Sequence, residues 1–509
     1  MRADQRARAA SRICTRCGPA NAAIVDSGEA VTGLRADRGA VRCWTMATER
    51  LSALDASFLY LERPAVHMHV AGLSVLDPST RRDGRLRAED VERVFASRMH
   101  LAPRLRQKVK MVPYGLALPV WVDDTSFDLD FHVRRTALAR PGGRNELSEQ
   151  VQRILSRPLD RSKPLWELYV IEGLEDGHVA TLMKVHHAMI DGLSGMHLTA
   201  ALFDLTPDLP EEPSPPVWEP EPEPSSQDLL RDATQTLFAH PVQALVNGID
   251  AVRRSPAVAA LDASTVLSGF RSILDMGARP PSALDVQIGP NRRFSIADAP
   301  LQRFKDIKDS LGGTVNDAVL TVVGGAMYRL LRDRKEPTRG RTLRVMVPVS
   351  VQGGRDASLG NRVAPAFIDL PVGAMGPKRR LALVRAGTSH LKESMMAMSA
   401  DAIIGLGAYA PGGMLAAAAR LASRGPWFNL VVSNIPGPPQ PMYLAGARLV
   451  AQYPSLPLGE NSALSIACTS IGGTMAFGLT GDYDGMPDLQ HLAFALDESL
   501  GEVSKAAGL

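Results

Sequence analysis

The stretch around His186 and His187 constrains the fold of this chain more than any other. An apolar segment with the length and composition of a buried strand precedes it. Asp191 and Gly192 follow, and residues 192–205 then carry apolar side chains at helical spacing. This order predicts a strand that ends at His187, a tight turn through Asp191 and Gly192, and then a helix.

Neighbouring side chains on an extended strand point to opposite faces, so His186 and His187 cannot both enter one site. One imidazole can then do chemistry while the other is held in the scaffold. A neutral imidazole can take a proton from a hydroxyl or an amine while that group attacks an acyl carbon. Asp191 lies close enough to orient the ring or to brace the loop, and Gly192 leaves room for backbone or substrate. The alternative, a buried histidine pair beside a turn, is disfavoured by the full pattern His-His-x-x-x-Asp-Gly.

The length of 509 residues allows two domains of ordinary size, each with its own core. The chain is 45% hydrophobic and 22% charged, which is typical of a globular protein. Its net charge is +3, but residues 1–45 hold eight Arg and four acidic residues, so the remainder carries −1. Because nucleic-acid binding needs a concentrated basic face, we expect no nucleic-acid partner.

Residues 1–45 differ from the rest of the chain. They contain three of the four cysteines and lack the apolar core of a secretory signal. Cys14 and Cys17 could form half of a zinc site, but no second pair follows at ligand spacing. We expect a disordered extension ahead of Met46, consistent with a start site placed too early. The rest of the chain has one cysteine, Cys468, which is consistent with a protein of the reducing cytoplasm.

The rest of the chain mixes strands and helices. Glu175-Asp176-Gly177 is a hairpin signal between two predicted strands, so the order favours an α/β fold with a mixed sheet over a doubly wound one. Residues 206–226 are rich in Pro and Glu and predict an exposed linker. His67 and His69 share one strand face, which we interpret as a polar sheet face and not as a metal pair. No run reaches the roughly 18 apolar residues of a membrane span.

Thr314 is predicted to cap a helix, with Asp317 completing a capping box. Cap chemistry alone would explain Asn316 and Asp317. The alternative is that this helix start faces a substrate channel or locks the two halves of the chain together.

The histidine motif resembles that of the acyltransferase superfamily of chloramphenicol acetyltransferases, plant alcohol acyltransferases and peptide-synthetase condensation domains. Within that superfamily, the chain from Met46 onwards resembles the bacterial wax ester synthase/diacylglycerol acyltransferase family. Five further stretches carry the resemblance, in the right order: residues 51–55 (LSALD), 103–107 (PRLRQ), 164–167 (PLWE), 314–320 (TVNDAVL) and 432–438 (VSNIPGP).

The resemblance implies two chloramphenicol acetyltransferase-like subdomains with mixed sheets and the active site in a channel between them. On this basis we expect an N-terminal subdomain over residues 46–205, a Pro/Glu-rich linker with bridging helices over 206–285, and a C-terminal subdomain over 286–509. The family often has Ser-Tyr-x-Gly where this chain has Ser-Ile-Gly-Gly at residues 470–473. The acceptor preference is therefore less firmly implied than the reaction type.

The implied function is transfer of a fatty acyl group from acyl-CoA to a lipid alcohol, giving triacylglycerol or wax ester. His187 is then the general base, with His186 and Asp191 as structural supports. Gly192, which keeps the channel open, Asn316 and Asp317 would contact substrate. Acyl-CoA is a co-substrate, and no cofactor or metal is implied.

The water-insoluble substrates predict a cytoplasmic protein held peripherally at a membrane or lipid-droplet surface. The candidate contact surface is the Met-rich stretch that contains Met395, Met396, Met398, Ile403, Ile404 and Leu406. The alternative is that these side chains belong to the ordinary core or line the channel. Two alternatives remain open. One is a condensation-type acyltransferase that uses carrier-protein thioesters, and the other is a non-catalytic paralogue that binds lipid droplets.

Overall fold

The structure of the chain is a computed structural model. It describes residues 49–189, 202–208, 217–239, 279–350, 363–397, 420, 425 and 427–509. The predicted extension (1–45), the predicted helix start after Gly192 and most of the predicted bridging helices lie outside these residues. The side chains of the Met-rich stretch from Met395 also lie outside them.

The described residues contain nine α-helices. Their bounds are α1 Ala53–Leu61, α2 Ala88–Arg98, α3 Leu129–His132, α4 Arg144–Leu155, α5 Ser226–Ala239, α6 Leu301–Leu311, α7 Val315–Asp333, α8 Pro377–Ala397 and α9 Leu489–Ala507. Of the helices described, none is both long and apolar enough to cross a membrane.

The same residues contain fourteen strands. Their bounds are β1 His69–Asp77, β2 Gln107–Lys110, β3 Val120–Asp123, β4 Val133–Ala137, β5 Trp166–Glu172, β6 Val179–His186, β7 Arg292–Pro300, β8 Thr342–Ser350, β9 Val363–Pro371, β10 Leu430–Pro436, β11 Tyr443–Leu444, β12 Ala447–Ser455, β13 Leu464–Ile471 and β14 Thr474–Asp482.

Two six-stranded sheets form the framework, and both are mixed. The first has the order β11-β12-β1-β6-β5-β4, with β4 and β5 parallel and the other pairs antiparallel. The second has the order β7-β14-β13-β10-β8-β9, in which β10 is parallel to both of its neighbours. The predicted α/β class with mixed sheets is confirmed.

The strand that leads to the histidines lies inside the first sheet and is covered on both faces. Side chains such as Val185 face a core built with α1 and α2, whereas Leu182 and Ala180 face a core built with α4 and β7. A strand buried on both faces needs apolar residues at nearly every position. This explains why β6 reads as an apolar run with little alternation.

The predicted hairpin between β5 and β6 is confirmed. The two strands pair antiparallel, and Gly177 in the turn has φ = +71°, a backbone conformation that side-chain-bearing residues rarely adopt. The hairpin fixes the register in which β6 runs towards the histidines.

The first sheet takes two of its strands from the far end of the chain. β12 pairs antiparallel with β1, with Leu73 opposite Tyr453. β11, which precedes β12 in the chain, pairs with it at the sheet edge. β12 was not predicted from the sequence, and its residues fall within the range 286–509 that was expected to form the C-terminal subdomain. In the structure, residues 443–455 belong to the first sheet.

In its described part, residues 206–208 and 217–226, the Pro/Glu-rich linker is mostly exposed, and it is anchored to the hairpin of β2 and β3. Glu223 forms ion pairs with Lys110 at 2.8 Å and with Lys108 at 3.2 Å. The guanidinium of Arg106 lies 4.5 Å from the centre of the Trp218 ring. The linker is thus held against the first half of the chain by charge and by aromatic stacking.

Candidate active site

The two histidines diverge because the strand ends between them. β6 finishes at His186, one residue earlier than predicted, and His187 begins a 3₁₀ turn that continues to Met189. The N–H of His187 donates to the carbonyl of Met68 at 2.7 Å. The different directions of the side chains therefore come from this turn, and the strand alternation that predicted them does not extend to His187.

His186 is completely buried and held on one side by the turn. Its Nδ1 accepts a hydrogen bond from the backbone N–H of Ala188 at 3.1 Å. Its Nε2 faces Oε1 of Glu62 at 3.6 Å. Because Nδ1 accepts, the neutral ring must carry its proton on Nε2, towards the carboxylate. The ring of His186 is thus tied to the turn, and its role as a structural support remains a prediction.

Glu62 is ionised despite its burial. Burial acts to raise the pKa of Glu62, but the imidazole of His186 and the charge of Arg161 outweigh it and hold the pKa below its usual range. Oε2 of Glu62 lies 3.8 Å from Nη1 of Arg161. One carboxylate thus faces the buried histidine and a half-exposed arginine.

His187 is a neutral imidazole packed against an aromatic ring. It stacks on Phe58 with ring centroids 3.9 Å apart and planes 25° apart. Its Nδ1 is buried and has no hydrogen-bond partner among the described residues. Burial lowers the pKa of His187 to about 4, and the neighbouring His186 acts in the same direction. At neutral pH the ring is therefore unprotonated and able to accept a proton.

Helix α1 brings two further residues to the histidines. Its N-cap is Ser52, whose Oγ accepts the N–H of Asp55 at 3.0 Å, so the family-like stretch 51–55 is a helix start. Phe58 and Glu62 follow four residues apart, on one face of the helix and its C-cap. Neither residue was predicted from the sequence as part of the site.

His67 and His69 are buried beside this site and do not form a solvated polar face. Their rings stack with centroids 5.5 Å apart, and their side chains are almost fully enclosed. Nε2 of His67 lies 3.0 Å from the carbonyl of Pro290, and Nε2 of His69 lies 3.1 Å from the carbonyl of Leu155. Burial lowers the pKa of both rings, so both are neutral. Within the described part of the chain, no group of three or more potential ligands could hold a metal ion.

The family-like stretch 164–167 packs beside β6 in the first sheet. Trp166 Nε1 donates to the carbonyl of Leu105, within the family-like stretch 103–107, at 2.8 Å. Glu167 forms an ion pair with Lys184, with Oε2 2.8 Å from Nζ, and the side chain of Lys184 on β6 is completely buried. Two stretches that are far apart in the sequence therefore meet behind the strand that carries His186.

Asp317 closes the predicted capping box at the start of α7. Its Oδ2 accepts the N–H of Thr314 at 2.8 Å, and its Oδ1 accepts the hydroxyl of Thr388 in α8 at 2.7 Å. Asn316 lies beside it, with Oδ1 3.5 Å from Nδ2 of Asn434 in the family-like stretch 432–438. The cap is confirmed, and contact of Asn316 and Asp317 with substrate remains a prediction.

Asp191 and Gly192 lie outside the described residues, so their predicted roles are not placed in space. The departure from the family pattern at Ile471 is visible. Its side chain is buried in the core of the first sheet, where it is only 3% exposed. An aliphatic residue fills this position by packing, without offering a hydroxyl.

Two sequence models of one family match the chain. The wax ester synthase/diacylglycerol acyltransferase catalytic domain matches residues 51–319, and the WS/DGAT C-terminal domain matches residues 359–504. The chain belongs to this family of acyltransferases. The WS/DGAT match includes both histidines and the start of α7.

Similar proteins support the same family. The Mycobacterium tuberculosis protein named probable diacylglycerol O-acyltransferase tgs2 is 33% identical over 464 residues, which cover 89% of this chain and 98% of that protein. A second M. tuberculosis protein bearing a diacylglycerol O-acyltransferase name is 33% identical over 495 residues, covering 91% of this chain and 99% of its own length.

Solved structures confirm the fold of this WS/DGAT family member. Wax ester synthase/diacylglycerol acyltransferase from Marinobacter aquaeolei VT8 has a TM-score of 0.64 and 28% identity, covering 91% of this chain and 100% of that one. The first condensation domain of the CDA synthetase has a TM-score of 0.54 and 15% identity, covering 90% and 97% of the two chains. The second likeness shows the fold alone.

Proposed function

We propose that this protein transfers a fatty acyl group from acyl-CoA to the hydroxyl of a lipid alcohol. The products are triacylglycerol from diacylglycerol, wax ester from a long-chain alcohol, or both. The observation that carries the proposal is the neutral imidazole of His187, presented beyond the end of β6 and stacked on Phe58. The names of the WS/DGAT relatives supply the substrate class.

In the proposed reaction His187 acts as general base. It takes the proton of the acceptor hydroxyl while that oxygen attacks the thioester carbon. The carbon–sulfur bond then breaks, and the imidazolium returns the proton to the leaving thiolate, so the products are an ester and free CoA. The step needs no covalent acyl-enzyme, because both substrates meet at one base.

The other proposed site residues act around this base. His186 fixes the turn after β6, and Asp191 braces it. Gly192 and Asn316 border the substrate path, and Asp317 holds the first turn of α7 against α8. We propose no cofactor or metal, with acyl-CoA as co-substrate.

The proposed place of action is the cytoplasmic side of a membrane or a lipid-droplet surface, where the protein binds peripherally. The support is chemical, because diacylglycerols and long-chain alcohols partition into lipid. Vesicle co-sedimentation followed by an alkaline carbonate wash tests this. Release by carbonate is expected, and retention would overturn peripheral binding.

The function itself is tested with purified protein, radiolabelled palmitoyl-CoA and a panel of acceptors. Labelled triacylglycerol or wax ester is expected from dioleoylglycerol or hexadecanol. Transfer to amines alone would favour the condensation-type alternative. A folded protein that binds lipid vesicles but shows no turnover with any acceptor would favour the non-catalytic paralogue.

A further inference from the structure

We propose that Glu62 is a positioning residue for the transfer reaction. Acting through His186, it holds the turn that presents His187. The kinetic part of this inference rests on the proposed function, and its structural part does not. Glu62 would touch neither substrate nor the reacting atoms.

The first argument is the contact itself. Glu62 has a side chain only 11% exposed, and its Oε1 faces Nε2 of the fully buried His186 at 3.6 Å. A carboxylate is seldom buried unless a partner compensates its charge. Arg161 approaches the other oxygen from the exposed side, so one oxygen remains directed at the histidine.

The second argument is the position of Glu62 on its helix. It is the C-cap of α1, where the helix dipole presents partial negative charge and disfavours a carboxylate. Helix formation therefore does not explain an acidic residue here. The imidazole of His186 and the guanidinium of Arg161, which the carboxylate faces, compensate its charge instead.

The third argument concerns the proton of His186. Ala188 donates its N–H to Nδ1, so Nδ1 must keep its lone pair and the proton must sit on Nε2. A negative carboxylate beside Nε2 favours this tautomer. If the proton moved to Nδ1, it would face the N–H of Ala188. The 3₁₀ turn from His187 to Met189 would then lose its hydrogen bond to the His186 ring.

Other charged and titratable groups surround the pair without replacing Glu62. His69 lies opposite His186 on β1, and burial keeps it neutral. Lys184, two residues earlier on β6, is paired with Glu167. His67 and Arg292 lie next to β1, and Arg292 donates to the carbonyls of Gly289, Asn291 and Ala65. In the described residues around His186, Glu62 is the carboxylate directed at Nε2.

The test compares Glu62→Ala and Glu62→Gln with a matched control, Glu336→Ala. Glu336 has a similar exposure of 15% and an ion pair with Arg341 at 2.8 Å, but it lies in the second half of the chain. We expect Glu62→Ala to lower kcat by roughly ten- to a hundredfold, the scale of a small displacement of a catalytic group. KM for both substrates should stay within about twofold, since Glu62 does not bind them.

Glu62→Gln keeps a carbonyl oxygen that can face Nε2 in place of Oε1, so it should restore most of kcat. Glu336→Ala should change stability without changing kcat. A folded Glu62→Ala with normal kcat would overturn the inference. So would a variant whose KM rises while kcat is kept, because that result would make Glu62 a substrate-binding residue.

A readout independent of activity separates this inference from the proposed function. In protein labelled with ¹⁵N-histidine, NMR should show His186 protonated at Nε2 and not at Nδ1. The signal is assigned by its loss in His186→Asn. In Glu62→Ala the Nε2-protonated signal should weaken or shift. If the unmodified protein transfers no acyl group, the proposed function fails, but the NMR comparison still tests the contact between Glu62 and His186. An unchanged His186 signal in Glu62→Ala would overturn the inference.

Discussion

Substituting the two histidines one at a time tests whether His187 is the general base and His186 a structural support. His187→Ala removes the proposed base, and His187→Gln keeps the approximate volume without basicity. We expect both to lower kcat by about 10²–10⁴, which is the usual contribution of a general base. This corresponds to about 3–5 kcal/mol of transition-state stabilisation.

His187→Ala should have a small effect on stability. His187 as a whole residue is intermediate in exposure, and the packing partner of its ring among the described residues is Phe58. An aromatic pair of this kind contributes about 0.5–1.5 kcal/mol beyond its buried area. We therefore expect a loss of about 1 kcal/mol in the free energy of unfolding. Acyl-CoA affinity should be nearly unchanged, because the lost group acts in the transition state.

His186→Ala should behave in the opposite way. The side chain is fully enclosed, and its removal leaves the N–H of Ala188 without an acceptor. A buried unsatisfied group costs about 1–3 kcal/mol, and the cavity adds to this. His186→Asn is the matched control, since its Oδ1 occupies nearly the place of Nδ1 and can still accept from Ala188. It should keep more stability and more activity than His186→Ala.

The assay combines steady-state rates, acyl-CoA affinity and chemical denaturation for all four variants. If His187→Ala kept near-normal kcat while a stable His186 variant lost it, the roles would be reversed. If no variant affected turnover, the proposal of histidine-catalysed acyl transfer would have to be abandoned. Equal stability of His186→Ala and His186→Asn would refute the role given to the Ala188 hydrogen bond.

Three further predictions follow from the pKa of His187, from the capping contacts and from the sequence. Because burial lowers the pKa of His187 to about 4 and an unfolded histidine titrates near 6.5, the unfolded chain binds the proton first as pH falls. Stability should therefore fall between about pH 6.5 and pH 4, while kcat, read from a pH–rate profile, should fall only near the lower value. Asp317→Ala should lower the free energy of unfolding by about 1–2 kcal/mol through loss of the α7 cap. Thr388→Val should lower it less in the same denaturation assay. A chain shortened to begin at Met46 should keep its fold and activity by circular dichroism and the acyl-transfer assay, and loss of either would make residues 1–45 part of the working protein.

Local signals allowed much of the framework to be predicted from the sequence. The hairpin before β6 was visible in Asp176-Gly177, and the start of α7 was visible in the spacing of Thr314 and Asp317. In each case the residues that determine the structure are neighbours in the chain. The end of β6 was misplaced by one residue because the contact that turns the chain, His187 N–H to Met68, comes from another strand region.

The elements that were missed depend on distant partners. β12 alternates buried and more exposed residues, which is an ordinary strand signal. Its partner β1 lies almost the whole chain away, as the contact between Gln452 and Ser74 across 378 positions shows. Nothing in the local sequence identifies that partner. Glu62 was missed for the same reason, since its importance appears only when α1 is placed against His186.

Residues of the second half of the chain contact the segment that precedes β1, beside the two histidines. The backbone carbonyl of Pro290 lies 3.0 Å from Nε2 of His67. Arg292 donates to the carbonyl of Ala65 at 2.6 Å. Between Ala65 and His69 lies Met68, whose carbonyl receives the N–H of His187. The position of the proposed base therefore depends on contacts from both halves, which explains why the site residues do not fall within one stretch of the sequence.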